Sequence, residues 1–345
     1  MTRTGLRYRR SPVHWGAWTS GAIALVGTAA LCPVVLSTLR RRQLVDVPNE
    51  RSSHARPTAR GGGAALLVPM AIAMLMSRGT WPLRAGLLIP VLAMAALGLA
   101  EDVGGVPVGR RFALQLVIGP VGAPLLLHGA GLRPTVAVGA AVIGVLWLVA
   151  FVNAFNFMDG INGISAMEAA VAGLTYAWLG RGRSPILVDG GIIVAAAAIA
   201  FVPFNFPHAR MFLGDVGSYL LGAWLAVLAV LTIRDRFGLV AAVAPLALYL
   251  GDTGITLLRR VAAREPWHQP HRSHAYQRLV QAGWSHTFVT LFVGAIVAIC
   301  SVLGVVARGR ALGVQVGIAA AIVAIVVAYI GVSWGRPGRP GPAVA

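Results

Sequence analysis

Asp215 stands in the stretch 205–218, between two long apolar runs and flanked by Gly214 and Gly217. An acid at the mouth of an apolar run is costly to keep there, and its default reading is functional, with the glycines bringing backbone close to a charged ligand. The plainer reading is an interfacial Asp that caps the next helix. Four more polar stretches invite the same question. Glu101 and Asp102 are adjacent carboxylates, which repel and suit a metal ligand, a base or a phosphate positioner. Asn153, Asn156, Asp159 and Asn162 crowd one short loop with Gly160 and Gly163. Side-chain oxygens from Asn156 and Asp159 are hard ligands suited to Mg²⁺, with phosphates completing the shell; an Asx-rich turn without ligand is the alternative.

Arg51, Arg56 and Arg60 precede the triple glycine 61–63 and present forks for bidentate phosphate contacts, while Arg40, Arg41 and Arg42 suit lipid head groups. His268, His271 and His274 recur every three residues, a spacing that could align them on a helical face. Zinc is the sharp alternative there, but no Cys lies near, and a basic, imidazole-rich loop binding a diphosphate or sugar fits better. Asp252 lies well inside an apolar run and is expected to be paired in a structural role.

The elements that hold these residues are membrane spans. The chain has 345 residues, 57% hydrophobic and 12% charged, with mean hydropathy +0.76. About eleven runs are long enough to cross: 17–39, 62–77, 83–100, 112–128, 135–152, 164–179, 186–204, 216–233, 237–258, 287–307 and 311–334. The predicted fold is all-α, a polytopic integral membrane protein of about 10–11 helices forming one membrane-embedded domain over 1–345. The second and third runs, short for a crossing, are the weakest of the eleven as spans. The loop 153–163 predicts a broken or capped helix. The first run is too long, and lacks a convincing cleavage site, for a removable signal peptide.

The net charge of +18 comes from 29 arginines without a lysine. They lie in short loops between spans, which points to lipid head groups or phosphorylated substrates and away from nucleic acid. Alternate loops segregate the chemistry. The set 40–61, 101–111, 153–163, 205–218 and 259–286, with the tail, carries seven of eleven acids and six of eight histidines. Arginine divides 16 to 13 between the two sides, so the positive-inside rule favours that set as cytoplasmic only weakly. One polar site assembled from five loops on one face is the expectation.

In order along the chain, these loops resemble the polyprenyl-phosphate N-acetylhexosamine-1-phosphate transferases. Asn153-x-x-Asn156-x-x-Asp159-Gly160 and Phe212-x-x-Asp215-x-Gly217-Ser218 are specific as a pair. The resemblance implies transfer of a sugar 1-phosphate from a UDP-N-acetylhexosamine to undecaprenyl phosphate, releasing UMP, at the cytoplasmic face of a bacterial plasma membrane. It implies Mg²⁺, with Mn²⁺ as the substitute, on Asp215 and Asn156. Glu101 and Asp102 take the place of the aspartate pair, Asp102 positioning or deprotonating the lipid phosphate. Asp159 and Asn162 would lie by the nucleotide, Asn153 and Arg60 by the substrates, and His271, Arg272 and His274 by the diphosphate or sugar. A homodimer is compatible with it.

Three departures stand out. Glu101 replaces an Asp, Asn162 replaces an acid, and Arg must carry any lysine role. Together with the 271–277 stretch they favour an enzyme that starts a surface polysaccharide, such as the O-antigen of lipopolysaccharide, with GlcNAc or a deoxy-N-acetylhexosamine. The MurNAc-pentapeptide transferase of peptidoglycan synthesis is the alternative within the family. A non-catalytic isoprenoid-phosphate transporter is the alternative outside it, though transporters place polar residues near the midplane.

Overall fold

The computed structural model describes residues 15–47, 57–265 and 271–335. Its elements run α1 (Trp15–Arg41), β1 (Val45–Asp46), β2 (Thr58–Arg60), α2 (Ala64–Leu75), α3 (Trp81–Gly104), α4 (Val108–Ile118), α5 (Ala123–Leu127), α6 (Pro134–Met158), α7 (Ile164–Gly180), α8 (Pro185–Asn205), β3 (Met211–Phe212), α9 (Gly214–Arg234), α10 (Leu239–Val243), α11 (Ala247–Ala262), α12 (Ala275–Gln281), α13 (His286–Ala307) and α14 (Leu312–Trp334). Single 3-10 turns join α4 to α5 and α10 to α11. Apolar runs in a bilayer must satisfy every backbone group internally, which leaves the helix as the available form. Prolines in the first turn start α3, α6 and α8, where the missing N–H costs nothing.

All eleven expected runs are helical, and the protein is an all-α polytopic membrane protein. Among the described residues nine helical stretches of 18 residues or more are long and apolar enough to cross. Of the other two expected runs, α7 with 17 residues stands at the lower limit of a crossing and α2 with 12 falls below it. The third run, expected to be one of the two weakest spans, is a 24-residue helix. α6 continues through Asn153 and Asn156 to Met158 and is capped at Asp159, before Gly160, which is the capped form of the two expected alternatives.

α9 is the axis of the bundle, with 89% of its most apolar stretch buried. Two indoles fasten it: Trp224 Nε1 donates to Gly190 O on α8 at 2.9 Å, and Trp147 Nε1 on α6 donates to Ala226 O at 3.0 Å. Such donors need a partner once buried, so each fixes an axial register as well as filling space. At the end away from Asp215, the buried Asp189 of α8 accepts from the Arg78 backbone at 2.8 Å and from its guanidinium. That pair ties the α2–α3 turn to α8.

A three-stranded sheet, absent from the sequence expectation, closes the other end. β2 pairs antiparallel with β1 and parallel with β3. The pairing continues into the glycines, Gly62 N donating to Phe212 O at 2.8 Å and Gly63 N to Leu213 O at 2.7 Å. Residues 58–63 are thereby locked to the entry of α9, which places Arg60 beside Asp215.

Candidate active site

The start of α9 lacks a side-chain cap of its own. Asp102, in the last turn of α3, supplies one from another helix: Oδ1 accepts from Asp215 N and Oδ2 from Val216 N, both at 2.9 Å. Its charge thus meets the positive end of α9 instead of its own helix's negative end. The fit depends on Gly214, at φ +74°, where an added Cβ would stand 2.6 Å from Asp102 Oδ2. Arg60 completes the cluster, Nε donating to Asp102 Oδ1 at 2.9 Å and Nη2 to Asp215 Oδ2 at 2.7 Å. Burial works to lower the Arg60 pKa, but the charges of Asp215 and Asp102 outweigh it and raise it.

Asp215 is held from a third side. Asn156 Nδ2 donates to its Oδ1 at 2.6 Å and reaches Ser218 Oγ at 2.9 Å. Both Asp215 oxygens are therefore oriented, yet two of a carboxylate's roughly four acceptor sites stay open toward the cavity. That cavity, of about 750 Å³, is lined by Arg60, Glu101, Asn153, Asn156, Asp159 and Asp215 on its polar side. Phe112, Val149, Leu250 and Leu257 make its apolar side. His271 and His274 form a further part of the wall with Phe157 and Tyr276.

The loop 271–274 is not helical, so the three-residue histidine spacing does not trace a helical face as expected. It is pinned from below by the buried Asp252 of α11, which is paired as expected. Asp252 accepts from Ala275 N at 3.0 Å, Tyr276 N at 3.4 Å, Tyr329 OH at 3.0 Å and Thr256 Oγ1 at 3.2 Å. His274 Nδ1 lies 3.2 Å from the same carboxylate, whose acceptor-only oxygens place the hydrogen on Nδ1. Tyr276 OH donates to Phe157 O at 2.9 Å. Its hydroxyl would stand 2.1 Å from a Cβ at Gly160, which explains the glycine after Asp159.

Asp159 and His271 have displaced titrations. Removal from water pushes the Asp159 carboxyl up to about 7, with the nearby negative Asp215 and Asp102 adding to the effect. Desolvation, then His274 and Arg260, bring His271 down to about 4, so it acts near pH 7 as a neutral hydrogen-bonding group. Its Nδ1 sits 2.8 Å from Ser273 Oγ.

The expected site residues thus divide. Arg60, Glu101, Asn153, Asn156, Asp159, Asp215, His271 and His274 share the cavity. Asp102 does not line it; its side chain is 3% exposed and its oxygens accept from the start of α9 and from Arg60. Asn162 does not line the cavity; its Nδ2 donates to Pro207 O at 2.9 Å and closes one loop onto the next. Arg272 does not line it either, its backbone O accepting from Gln281 Nε2 at 2.9 Å. Glu101 accepts from Val106 N at 2.9 Å and lies 3.9 Å from Arg111. Asn153 is buried, donating to Gln115 Oε1 at 2.7 Å. Glu50, Arg51, His54, Arg56 and His268 lie outside the described residues. Sequence reasoning missed Tyr276, Gln277, Phe157 and Thr253, which line the wall without any charge to mark them.

Oxygen donors from Asp215, Asn156 and Asp159 around one cavity fit a hard divalent cation that keeps water and substrate oxygens. Among the described residues no three His, Cys, Asp or Glu side chains gather to hold a metal unaided. Such a site would be completed by phosphate.

Residues 84–233 match the profile of glycosyl transferase family 4. The chain is 30% identical over 310 residues to the phospho-N-acetylmuramoyl-pentapeptide-transferase of Moorella thermoacetica, covering 82% of this chain and 95% of that one. The chain belongs to glycosyl transferase family 4. As a family-4 protein it is an enzyme, a phosphotransferase. It is also 25% identical over 303 residues to a probable undecaprenyl-phosphate N-acetylglucosaminyl 1-phosphate transferase of Bacillus subtilis, with 83% of each chain covered. To the decaprenyl-phosphate N-acetylglucosaminephosphotransferase of Mycolicibacterium smegmatis it is 28% identical over 321 residues, 79% of this chain and 78% of that one. The family match spans Glu101, Asn156, Asp159 and Asp215; Arg60, Asp252 and the 271–277 wall lie beyond it.

Proposed function

We propose that this family-4 enzyme transfers an N-acetylhexosamine 1-phosphate, GlcNAc or a deoxy relative, from a UDP-sugar to undecaprenyl phosphate. The carrying observation is one cavity with an oxygen-rich polar side at Asp215 and an apolar side at Phe112, Leu250 and Leu257. That combination suits a substrate with a phosphate head and a hydrocarbon tail. The relatives named for undecaprenyl- or decaprenyl-phosphate substrates support the reading.

In this reading an oxygen of the lipid phosphate attacks the sugar-bearing phosphorus of the donor. The bond from that phosphorus to the bridging oxygen breaks, and UMP leaves with that oxygen. The products are undecaprenyl-diphospho-sugar and UMP. Phosphoryl transfer asks for alignment and charge neutralisation more than for a covalent protein intermediate. Arg60 lies between two carboxylates and can swing one fork to a phosphate, while Asp102 is too committed to act as nucleophile. Mg²⁺, held by Asp215 and Asn156, would supply the remaining neutralisation of diphosphate charge. The neutral His271, with His274 held in place by Asp252, would accept and donate to the sugar or diphosphate. The site faces the cytoplasm, where nucleotide sugars are made, and the product starts a cell-surface polysaccharide.

The test is mass analysis of the lipid formed from undecaprenyl phosphate and a panel of UDP-N-acetylhexosamines. One donor giving a diphospho-lipid of matching mass names the sugar. Product only from the MurNAc-pentapeptide donor would make the enzyme a phospho-N-acetylmuramoyl-pentapeptide transferase, the activity in the Moorella relative's name.

A further inference from the structure

Each oxygen of Asp215 carries a donor. Arg60 Nη2 stands 2.7 Å from Oδ2, and Asn156 Nδ2 stands 2.6 Å from Oδ1. A carboxylate only accepts, so the end of the Asn156 amide that meets it is the NH₂, which also reaches Ser218 Oγ at 2.9 Å. A cation takes the amide oxygen as ligand and not the NH₂. The two residues assigned to the metal thus meet through the amide's donor end, and a guanidinium neutralises the carboxylate.

Arg60 is placed to leave as well as to hold. Its side chain is 42% exposed and lines the cavity, whereas those of Asp215 and Asp102 are 14% and 3% exposed. An ion pair with one long, partly exposed partner is held only weakly against water. The fork divides, Nε on Asp102 at 2.9 Å and Nη2 on Asp215, so the second contact can break while the first keeps the guanidinium at the cavity. Asp102 has two backbone donors besides, Asp215 N and Val216 N, both at 2.9 Å. The charges of Asp215, Asp102 and Asp46 all act on this one cation. A divalent ion on Asp215 would face the same guanidinium at close range, and like charges that near oppose each other even in water.

We propose that Arg60 is a displaceable counter-ion: it competes with a divalent cation for Asp215 and, once displaced, turns its fork to a substrate phosphate. The inference rests on the assignment of Mg²⁺ to Asp215 and Asn156 in the proposed function. It makes Arg60 a determinant of metal affinity without being a ligand.

The experiment titrates Mn²⁺ alone into the purified full chain in neutral detergent, with free Mn²⁺ followed by electron paramagnetic resonance. Asp215→Asn should remove the binding that belongs to this carboxylate. With a guanidinium and a divalent ion about 4 Å apart, Arg60→Gln should lower the half-saturating Mn²⁺ concentration on the order of tenfold. Arg60→Lys keeps the charge and should stay close to the wild-type value. Should Arg60→Gln not fold, Arg60→Met keeps the apolar stem and carries the same expectation. A merely structural Arg60 would show a lower unfolding midpoint in these neutral variants with half-saturation unmoved. That result, or weaker Mn²⁺ binding in them, overturns the competition and leaves the transfer reading standing. Mn²⁺ bound by no form of the chain overturns the competition together with the metal assignment beneath it.

Discussion

Asp215 and Asp159 are both acids of one cavity, and their surroundings assign them different work. Asp215 is oriented by Arg60 and Asn156 and capped into α9, the arrangement of a fixed ligand. Asp215→Asn keeps the shape and removes the charge, so turnover should fall by on the order of 10²- to 10³-fold. The amount of folded protein in the membrane should not change, which size-exclusion of the extracted variant checks. Asp159 also feels the Arg60 charge, but desolvation outweighs it and pushes the carboxyl up to about 7. If its carboxylate is the working form, the rate rises with pH through about 7 and levels above. Asp159→Asn should flatten that rise. The sign for stability is opposite: the folded state's preference for the neutral acid is complete below about pH 4 and lost as pH rises through about 7. The metal-free protein should therefore melt at lower temperature at pH 8 than at pH 5, and the Asn variant should lose that difference.

At the scale of elements, the site is a set of helix ends fastened to one another. Asp102 joins α3, α9 and β2, so Asp102→Ala strands two N–H groups and leaves Arg60 half-paired. The expected cost is roughly 3–5 kcal/mol, visible as a lower unfolding midpoint, where a purely chemical role would leave stability intact. Asp252 does the same for the 271–276 wall from within α11. Asp252→Ala should loosen that wall, raising KM for the sugar donor more than it lowers kcat. These fastenings explain what the sequence made legible. Asp215, Asp159 and Asn156 were visible because polar groups are conspicuous in an apolar chain, and their spacing carried the family resemblance. The adjacency of Asp102 to Glu101 is visible in sequence, while its contact with α9, 113 residues away, is not. Asn162 and Arg272 sit in the right loops, but backbone bonds to Pro207 and Gln281 settle those loops in ways that spacing does not encode. The helices themselves were legible almost throughout, because hydropathy alone sets where backbone must be internally bonded. Their lengths were less so: α6, read as a run over 135–152, continues to Met158 because Asn153 and Asn156 find partners on α4 and α9.

For the whole molecule, the architecture sets a buried α9 between two unlike faces. One gathers acids, imidazoles and Arg60 around a cavity of about 750 Å³; the other gathers arginines around Phe237. The central claim concerns the first face, that it joins a nucleotide sugar to a polyprenyl phosphate. Release of UMP by the purified protein, given undecaprenyl phosphate and UDP-N-acetylhexosamines with or without Mg²⁺, tests it most directly. The account predicts UMP release with a selected donor, dependent on both lipid and Mg²⁺ and lost in Asp215→Asn. Folded protein that binds the donor and the lipid, yet releases no UMP with Mg²⁺ present, would contradict it.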